Sequence, residues 1–223
     1  MPKNIYRNKA GEILPGTTTI CNQLGKGEGL MNWSHKIAYE STIELTHELW
    51  VRYGGSEKLY IPKYEDIKKW QAERDSAGDI GTLVHKMVMD FLSGEEVIIS
   101  TDDIAAKCYH KFLDWWIEEA RDFEPTLIIE QPLVSEELGF GGQPDIYVEN
   151  KGRIIDIKTS NGIYDSHWIQ LAGYGLLRKA KEYQILWLPK HGGFACPIRT
   201  DLRKEKKIFR HLLEIHKLRN KEG

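Results

Sequence analysis

Residues 141 to 160 run Gly-Gly-Gln-Pro-Asp-Ile-Tyr-Val-Glu-Asn-Lys-Gly-Arg-Ile-Ile-Asp-Ile-Lys-Thr-Ser, and this stretch constrains the fold more than any other. Ile154 to Lys158 is rich in β-branched residues with charges at alternate positions, the pattern of a strand with one apolar and one polar face. Ile155 and Ile157 then point to one side and Asp156 and Lys158 to the other, because side chains two apart on a strand share a face. Gln143 to Val148 reads as the preceding strand, opened by Pro144, whose missing N–H is tolerated at a strand's first position. Between them, Glu149-Asn150-Lys151-Gly152 is turn chemistry.

Spacing alone leaves the register of this hairpin open. A two- or four-residue loop allows pairings such as Asp145 with Lys158, whereas a three-residue loop over Asn150 to Gly152 pairs Asp145 with Ile157 and turns it to the wrong face. A bulge, or a place for Asp145 just ahead of the ladder, repairs the second case.

If Asp145, Asp156 and Lys158 converge, they suit phosphodiester hydrolysis. Two hard carboxylates can hold Mg²⁺ or Mn²⁺ through oxygen and leave positions for water and phosphate oxygens. Such an ion lowers the pKa of a bound water, and a lysine beside it can orient that water or stabilise the pentavalent phosphorus. The competing reading is a solvent-facing hairpin with a surface Asp-Lys pair worth roughly 0 to 1 kcal/mol.

The flanking residues favour the first reading. Gly81-Thr82-Leu83-Val84-His85, Gly142-Gln143-Pro144-Asp145, Asp156-Ile157-Lys158-Thr159-Ser160 and Gln170-Leu171-Ala172-Gly173-Tyr174 occur in that order. Together they resemble the RecB-like branch of the PD-(D/E)XK nuclease superfamily, which includes phage-type and mitochondrial single-strand exonucleases and CRISPR-associated spacer-acquisition nucleases. The resemblance spans residues 78 to 189. It implies a metal-dependent DNA nuclease with a restriction-endonuclease-like core, most readily an exonuclease on single-stranded DNA or DNA ends. His85, Asp145 and Asp156 would bind one or two Mg²⁺ or Mn²⁺ ions with the backbone carbonyl of Ile157, and Lys158 would be the catalytic lysine. Glu130 matches a glutamate that many relatives carry, as a ligand or water-orienting group, with an exposed strand glutamate as the alternative. Alternative functions are a catalytically silent nucleic-acid-binding subunit and a structure-specific or CRISPR-adaptation-type endonuclease.

Other residues carry two readings each. Leu83, Val84, Met87, Val88, Phe91 and Leu92 form an apolar helical stripe flanked by Gly81 and His85, so His85 is either a ligand or a structural histidine. Gln170 and Tyr174, four apart on a helix, can contact substrate phosphate or orient Lys158, or Tyr174 can simply cap the core. Trp33 follows a threonine-rich opening, Ile13 to Ile20, that resembles phage-type exonucleases; it can stack on a nucleobase or pack in the core.

The net charge of −2 does not advertise nucleic-acid binding, but residues 199 to 222 carry a net +5 and the rest of the chain −7. Arg203 and Lys207 lie on the basic side of an amphipathic C-terminal helix that can track phosphates. Cys21, Cys108 and Cys196 are too few and too scattered for a four-cysteine iron–sulfur cluster, a zinc site or a disulfide framework. No apolar run reaches the roughly 20 residues of a membrane span and no signal peptide opens the chain, so a soluble, cytoplasmic protein is expected, in the host cytoplasm if phage-encoded. DNA is the expected partner, with recombination or replication proteins as possible others.

Helices are expected up to about Tyr53, from Tyr64 to Asp75, after a break at Ala77-Gly78-Asp79 as far as Leu92, from Ile104 to Phe123, and around Trp168 to Ala180. Leu127 to Leu133 and the hairpin supply three strands, with short strands at Tyr183 to Leu188 and Phe194 to Ile198. This order predicts an α/β fold, a small mixed sheet flanked by helices. All 223 residues are expected to form one nuclease domain, with a helical N-terminal elaboration over 1–77, a core over 78–200 and the basic C-terminal helix over 201–223.

Overall fold

The computed structural model describes residues 5–24, 39–40, 42–44, 46–48, 51, 69–119, 123 and 127–220, with backbone alone at 69–78. Trp33 lies outside the described residues. Two compact units make up the chain: Met1–Leu24 with Ile80–Gly223, and Gly25–Asp79. All the described residues of the second unit are helical.

The first unit opens with a short hairpin, β1 (Tyr6–Arg7) and β2 (Ile13–Leu14), then α1 (Thr17–Cys21). Helices α2 (Lys69–Leu92) and α3 (Asp103–Glu119) precede the strands. Asp102 starts α3 by accepting the N–H groups of Ile104 and Ala105 at 2.9 and 2.8 Å, so two otherwise orphaned donors are satisfied.

The central sheet has the order β3 (Leu127–Ile129), β6 (Ile146–Val148), β7 (Arg153–Lys158), β8 (Glu182–Trp187) and β9 (Ile198–Arg199). Its pairings are antiparallel except β7 with β8, which α4 (Asp165–Leu177) joins by a crossover. A separate ribbon pairs β4 (Leu133–Ser135) with β5 (Phe140–Gly142), and α5 (Arg203–Arg219) follows the sheet. The structure is therefore the mixed α/β sheet flanked by helices that the element order predicts. Among the described residues, no helix is long and apolar enough to cross a membrane.

Alternation along β7 separates two cores. Ile155 and Ile157 pack with Val84, Val88 and Phe112 of α2 and α3, while Ile154 packs with Trp168, Leu171 and Tyr183 on the other face. A third cluster joins Ile20 of α1 to Phe140, Ile169, Phe209 and Leu213. Residues 5–24, grouped by sequence with the N-terminal elaboration, thus fold with the core unit because Ile20 buries its side chain there.

Several boundaries depart from the sequence reading. α2 runs unbroken through Ala77-Gly78-Asp79, since a glycine inside a helix costs only about 1 kcal/mol and no proline interrupts it. Leu83, expected in the apolar stripe, is 37 % exposed. α4 begins and ends three residues before the expected Trp168 to Ala180. Leu127 to Leu133 is split into two strands at Glu130, and β5 is an unforeseen partner for the second of them. The expected strand from Phe194 reduces to β9 and a single bridge between Trp187 and Ala195. The hairpin turn takes four residues, pairing Val148 with Arg153 and Ile146 with Ile155, with Gly152 supplying the left-handed corner at φ 61°. This is the four-residue case, whose register extends to Asp145 opposite Asp156, so the two acids share a face although Asp145 sits one residue ahead of the ladder.

α1 is held by two glycines. A Cβ on Gly142 would come 2.3 Å from the Thr17 hydroxyl, and one on Gly173 would come 2.6 Å from Phe209 and 2.8 Å from the Thr17 methyl. Thr17 also donates to the Gly141 carbonyl at 3.0 Å. Gly173→Ala is therefore expected to lower stability by about 1 to 3 kcal/mol through overpacking, read as a lower urea midpoint at an unchanged slope.

The N-terminus of α4 contains a pH-sensitive cap. Tyr164 N–H donates to His167 Nδ1 at 3.3 Å, and burial lowers the His167 pKa to about 4, helped by Lys158. A depressed histidine pKa means that the unfolded chain takes up the proton first. The contribution of this cap is complete above about 6.5 and declines as pH falls toward 4. Comparing His167→Gln with the parent by urea unfolding from pH 7.5 to 4.5 should show the parent losing more stability below 6.5. Parallel curves would refute this linkage.

Candidate active site

The site gathers at the end of β7 that carries Lys158. Asp145 fastens three elements there. Its Oδ2 accepts the Ile157 N–H at 2.7 Å, its Oδ1 meets His85 Nε2 at 3.0 Å, and its carbonyl accepts the Glu130 N–H at 2.9 Å. Asp156 is 1 % exposed and its Oδ2 lies 2.5 Å from Lys158 Nζ. Lys158 also donates to Gln170 Oε1 at 3.1 Å, and Gln170 Nε2 donates to the Tyr174 hydroxyl at 2.8 Å. The four-residue spacing on α4 makes that last link, since residues i and i+4 are neighbours on a helix face.

The electrostatics follow from burial and from who faces whom. Burial works to raise the Asp145 pKa, but the charge of His85 and its hydrogen bond prevail and hold it below the usual carboxylate range. Asp145 in turn raises His85 to about 9, against burial, so the imidazole is cationic at neutral pH. Asp156 is raised to about 6 by burial, which the ammonium of Lys158 only partly offsets. Burial would lower Lys158, yet Asp156 and Asp145 raise it and keep it charged.

Glu130 turns the chain between β3 and β4 with φ 45°, the single non-glycine residue at positive φ among those described. Strained backbone of this kind costs of order 1 to 3 kcal/mol and is found where a side chain must be aimed. Glu130 lines the cleft, where its Oε1 lies 3.8 Å from His85 Nδ1. That nitrogen is buried without a hydrogen-bond partner.

His85, Glu130, Asp145, Asp156, Ile157, Lys158, Gln170 and Tyr174 all line one cleft of about 410 Å³. Arg203 and Lys207 do not. α5 turns Phe209, Leu212 and Leu213 inward, which leaves Lys207 exposed elsewhere, and Arg203 is 90 % exposed and tied to Asp201. Sequence reasoning gave no site role to Tyr6, Thr17, Thr18, Thr19 and Asn22, which form the opposite wall. Their signal was present as three consecutive threonines, but Thr17 faces inward while Thr18 and Thr19 are exposed to the cleft, a division that only the docking of α1 reveals.

Among the described residues, no three His, Cys, Asp or Glu side chains form a ready-made cation cluster. The chemistry of the donors nonetheless fits a hard divalent ion. Two buried carboxylates share the cleft, and Asp156 Oδ2 has no hydrogen bond of good geometry although Lys158 stands close.

No protein-family model and no curated protein matches the chain. Solved structures overlay on it loosely. A protein of Eubacterium rectale described as an exonuclease is 14 % identical with a TM-score of 0.46, covering 74 % of this chain and 75 % of that one. The alkaline exonuclease of Laribacter hongkongensis is 11 % identical with a TM-score of 0.42, covering 64 % and 85 %. A phage-related exonuclease of Haemophilus somnus is 15 % identical with a TM-score of 0.34, covering 58 % and 76 %.

Relieving the strain at residue 130 should separate stability from the role of the side chain. Glu130→Gly is expected to match or exceed the parent in thermal unfolding, by up to about 1 kcal/mol, because glycine carries no steric penalty at positive φ. A lower melting temperature would show that the carboxylate itself holds the fold.

Proposed function

We propose that the chain is a Mg²⁺- or Mn²⁺-dependent deoxyribonuclease of the PD-(D/E)XK type, acting as an exonuclease on single-stranded DNA or DNA ends. The observation that carries this reading is the meeting of Asp145, Asp156 and Lys158 in one cleft with His85, Gln170 and Tyr174. The four sequence motifs contribute to the same cleft, as the resemblance to RecB-like nucleases implies.

Asp145 and Asp156, with the Ile157 carbonyl and with His85 once it has released its proton, would hold the ion, which when bound would supply an acidified water and offset charge on the phosphoryl transition state. Lys158 remains cationic and presents its ammonium where negative charge grows on phosphorus-bound oxygen. Gln170 and Tyr174 position Lys158 through the hydrogen-bond chain between them, which favours the orienting role for this pair over direct phosphate contact. Tyr174 is 4 % exposed and serves the core at the same time. Glu130 is suited to orienting a water at the mouth of the cleft. Thr18, Thr19 and Asn22 offer uncharged donors on the facing wall, where a phosphate can be bound without adding negative charge beside the acids.

The size of the cleft bears on the substrate. About 410 Å³ is the room of a small-ligand pocket, which suits the end of an unpaired strand better than a duplex.

Purified protein with Mn²⁺ is expected to shorten end-labelled linear single-stranded DNA and to spare circles. Asp156→Asn and Lys158→Ala should lower the rate about 100-fold or more while circular dichroism stays native. Calorimetric titration with Mn²⁺ should give heat for the parent and little for Asp156→Asn. Intact linear, nicked and duplex DNA under these conditions, or equal cutting by parent and variants, would sink the nuclease reading.

A further inference from the structure

A second groove of about 570 Å³ adjoins the active cleft within the same unit. Ile5, Ile13, Leu14 and Pro15 line it from the N-terminal hairpin, and His216 and Lys217 line it from α5. Gly16 and Thr19 line both cavities, so the two meet at α1.

Its surface combines two chemistries. Ile5 and Ile13 are 65 % and 66 % exposed, leaving two large aliphatic side chains open to water on a short hairpin. The ionisable groups among its lining residues are His216 and Lys217, with no carboxylate. Lys217 lies 3.5 Å from Glu214 one turn away on α5, an exposed pair that competes weakly for the ammonium. An unpaired nucleic-acid strand offers the complement, apolar base faces alternating with phosphates. A duplex hides those base faces.

Building on the nuclease reading, we propose that this groove holds the stretch of DNA strand adjoining the nucleotide in the active cleft. Bases lie against Ile5, Ile13 and Pro15, and a backbone phosphate meets Lys217. Thr19, shared by both cavities, offers its hydroxyl to the phosphate that crosses between them. The shared border at Gly16 and Thr19 favours a strand over a protein partner, because a strand held at the acids must leave the cleft and this groove lies beside it. Its acid-free lining suits a polyanion, whereas the active cleft concentrates carboxylates around a single lysine.

The test compares the parent with an Ile5→Glu/Ile13→Glu/Lys217→Gln variant, none of whose positions belongs to the catalytic cleft. Fluorescence anisotropy with oligothymidylates of roughly 4 and 12 nucleotides, in Ca²⁺ to prevent cleavage, measures how affinity grows with length. The parent should bind the longer strand about tenfold more tightly than the shorter. The variant should lose that gain and show a salt slope shallower by about 0.7 for the lost phosphate contact. With Mn²⁺ it should still cut the short oligonucleotide at the parental rate. A retained length gain and salt slope would overturn the proposal and leave the groove to a protein or a second copy of the chain. If the triple variant is misfolded by circular dichroism, Lys217→Gln alone must still flatten the salt slope, and an unchanged slope would overturn the proposal equally. A parent that neither binds nor cuts any oligonucleotide would defeat the nuclease reading itself, whereas a parent that cuts while the variant keeps the length gain defeats only the groove.

Discussion

The buried carboxylate of Asp145 is the contact on which the rest of the site depends. An acid at 9 % exposure persists in ionised form only if its oxygens are paired, and here they are paired to different elements. His85 comes from α2 and Ile157 from β7, and the backbone carbonyl of Asp145 accepts the N–H of Glu130 just past β3. One side chain and its own peptide therefore set where the helix, the central strand and the strained corner meet. Packing fixes the helix and the strands broadly, but a charge that must be satisfied fixes them to within a hydrogen bond.

The two acids of the cleft have been given different electrostatic surroundings. Asp145 is held low by a cationic imidazole, while burial pushes Asp156 up despite Lys158. Asp156 is thus the carboxylate that remains short of stabilisation, with one oxygen lacking a well-formed hydrogen bond. A buried acid in that condition favours a further cation nearby. α4 contributes indirectly, since Gln170 and Tyr174 spend their polar groups holding Lys158 beside Asp156. The strained backbone at Glu130 belongs to the same economy, in which local cost is offset by the packed sheet around it.

The opposite wall depends on a different kind of constraint, the absence of side chains. Gly142 and Gly173 belong to two of the motifs that resemble a nuclease, and both make room for a neighbouring segment. Their hydrogens leave the space into which Thr17 of α1 is pressed. Glycines within a functional motif can therefore mark the docking of a distant segment, and here that segment forms the second half of the cleft and the rim of the adjoining groove.

Sequence alone determined the alternation along β7, the order of the major elements, and the set of polar residues that would have to meet if they were to act together. Those follow from local periodicity and residue chemistry, which are written along the chain. It did not determine the register of the hairpin, because Glu149 to Gly152 suits turns of different length, and a three-residue turn gives Asp145 the face opposite to that of a two- or four-residue one. Nor could it show that Leu127 to Leu133 breaks at a left-handed glutamate, that α2 passes unbroken through Gly78, or that Arg203 and Lys207 lie away from the cleft. The place of Tyr6, Thr18, Thr19 and Asn22 in the lining of the cleft was also hidden, since nothing local distinguishes a threonine at a cleft from one on the open surface. Only the tertiary structure decided these points, because each depends on contacts between residues far apart in the chain, where burial and charge pairing outweigh local preference.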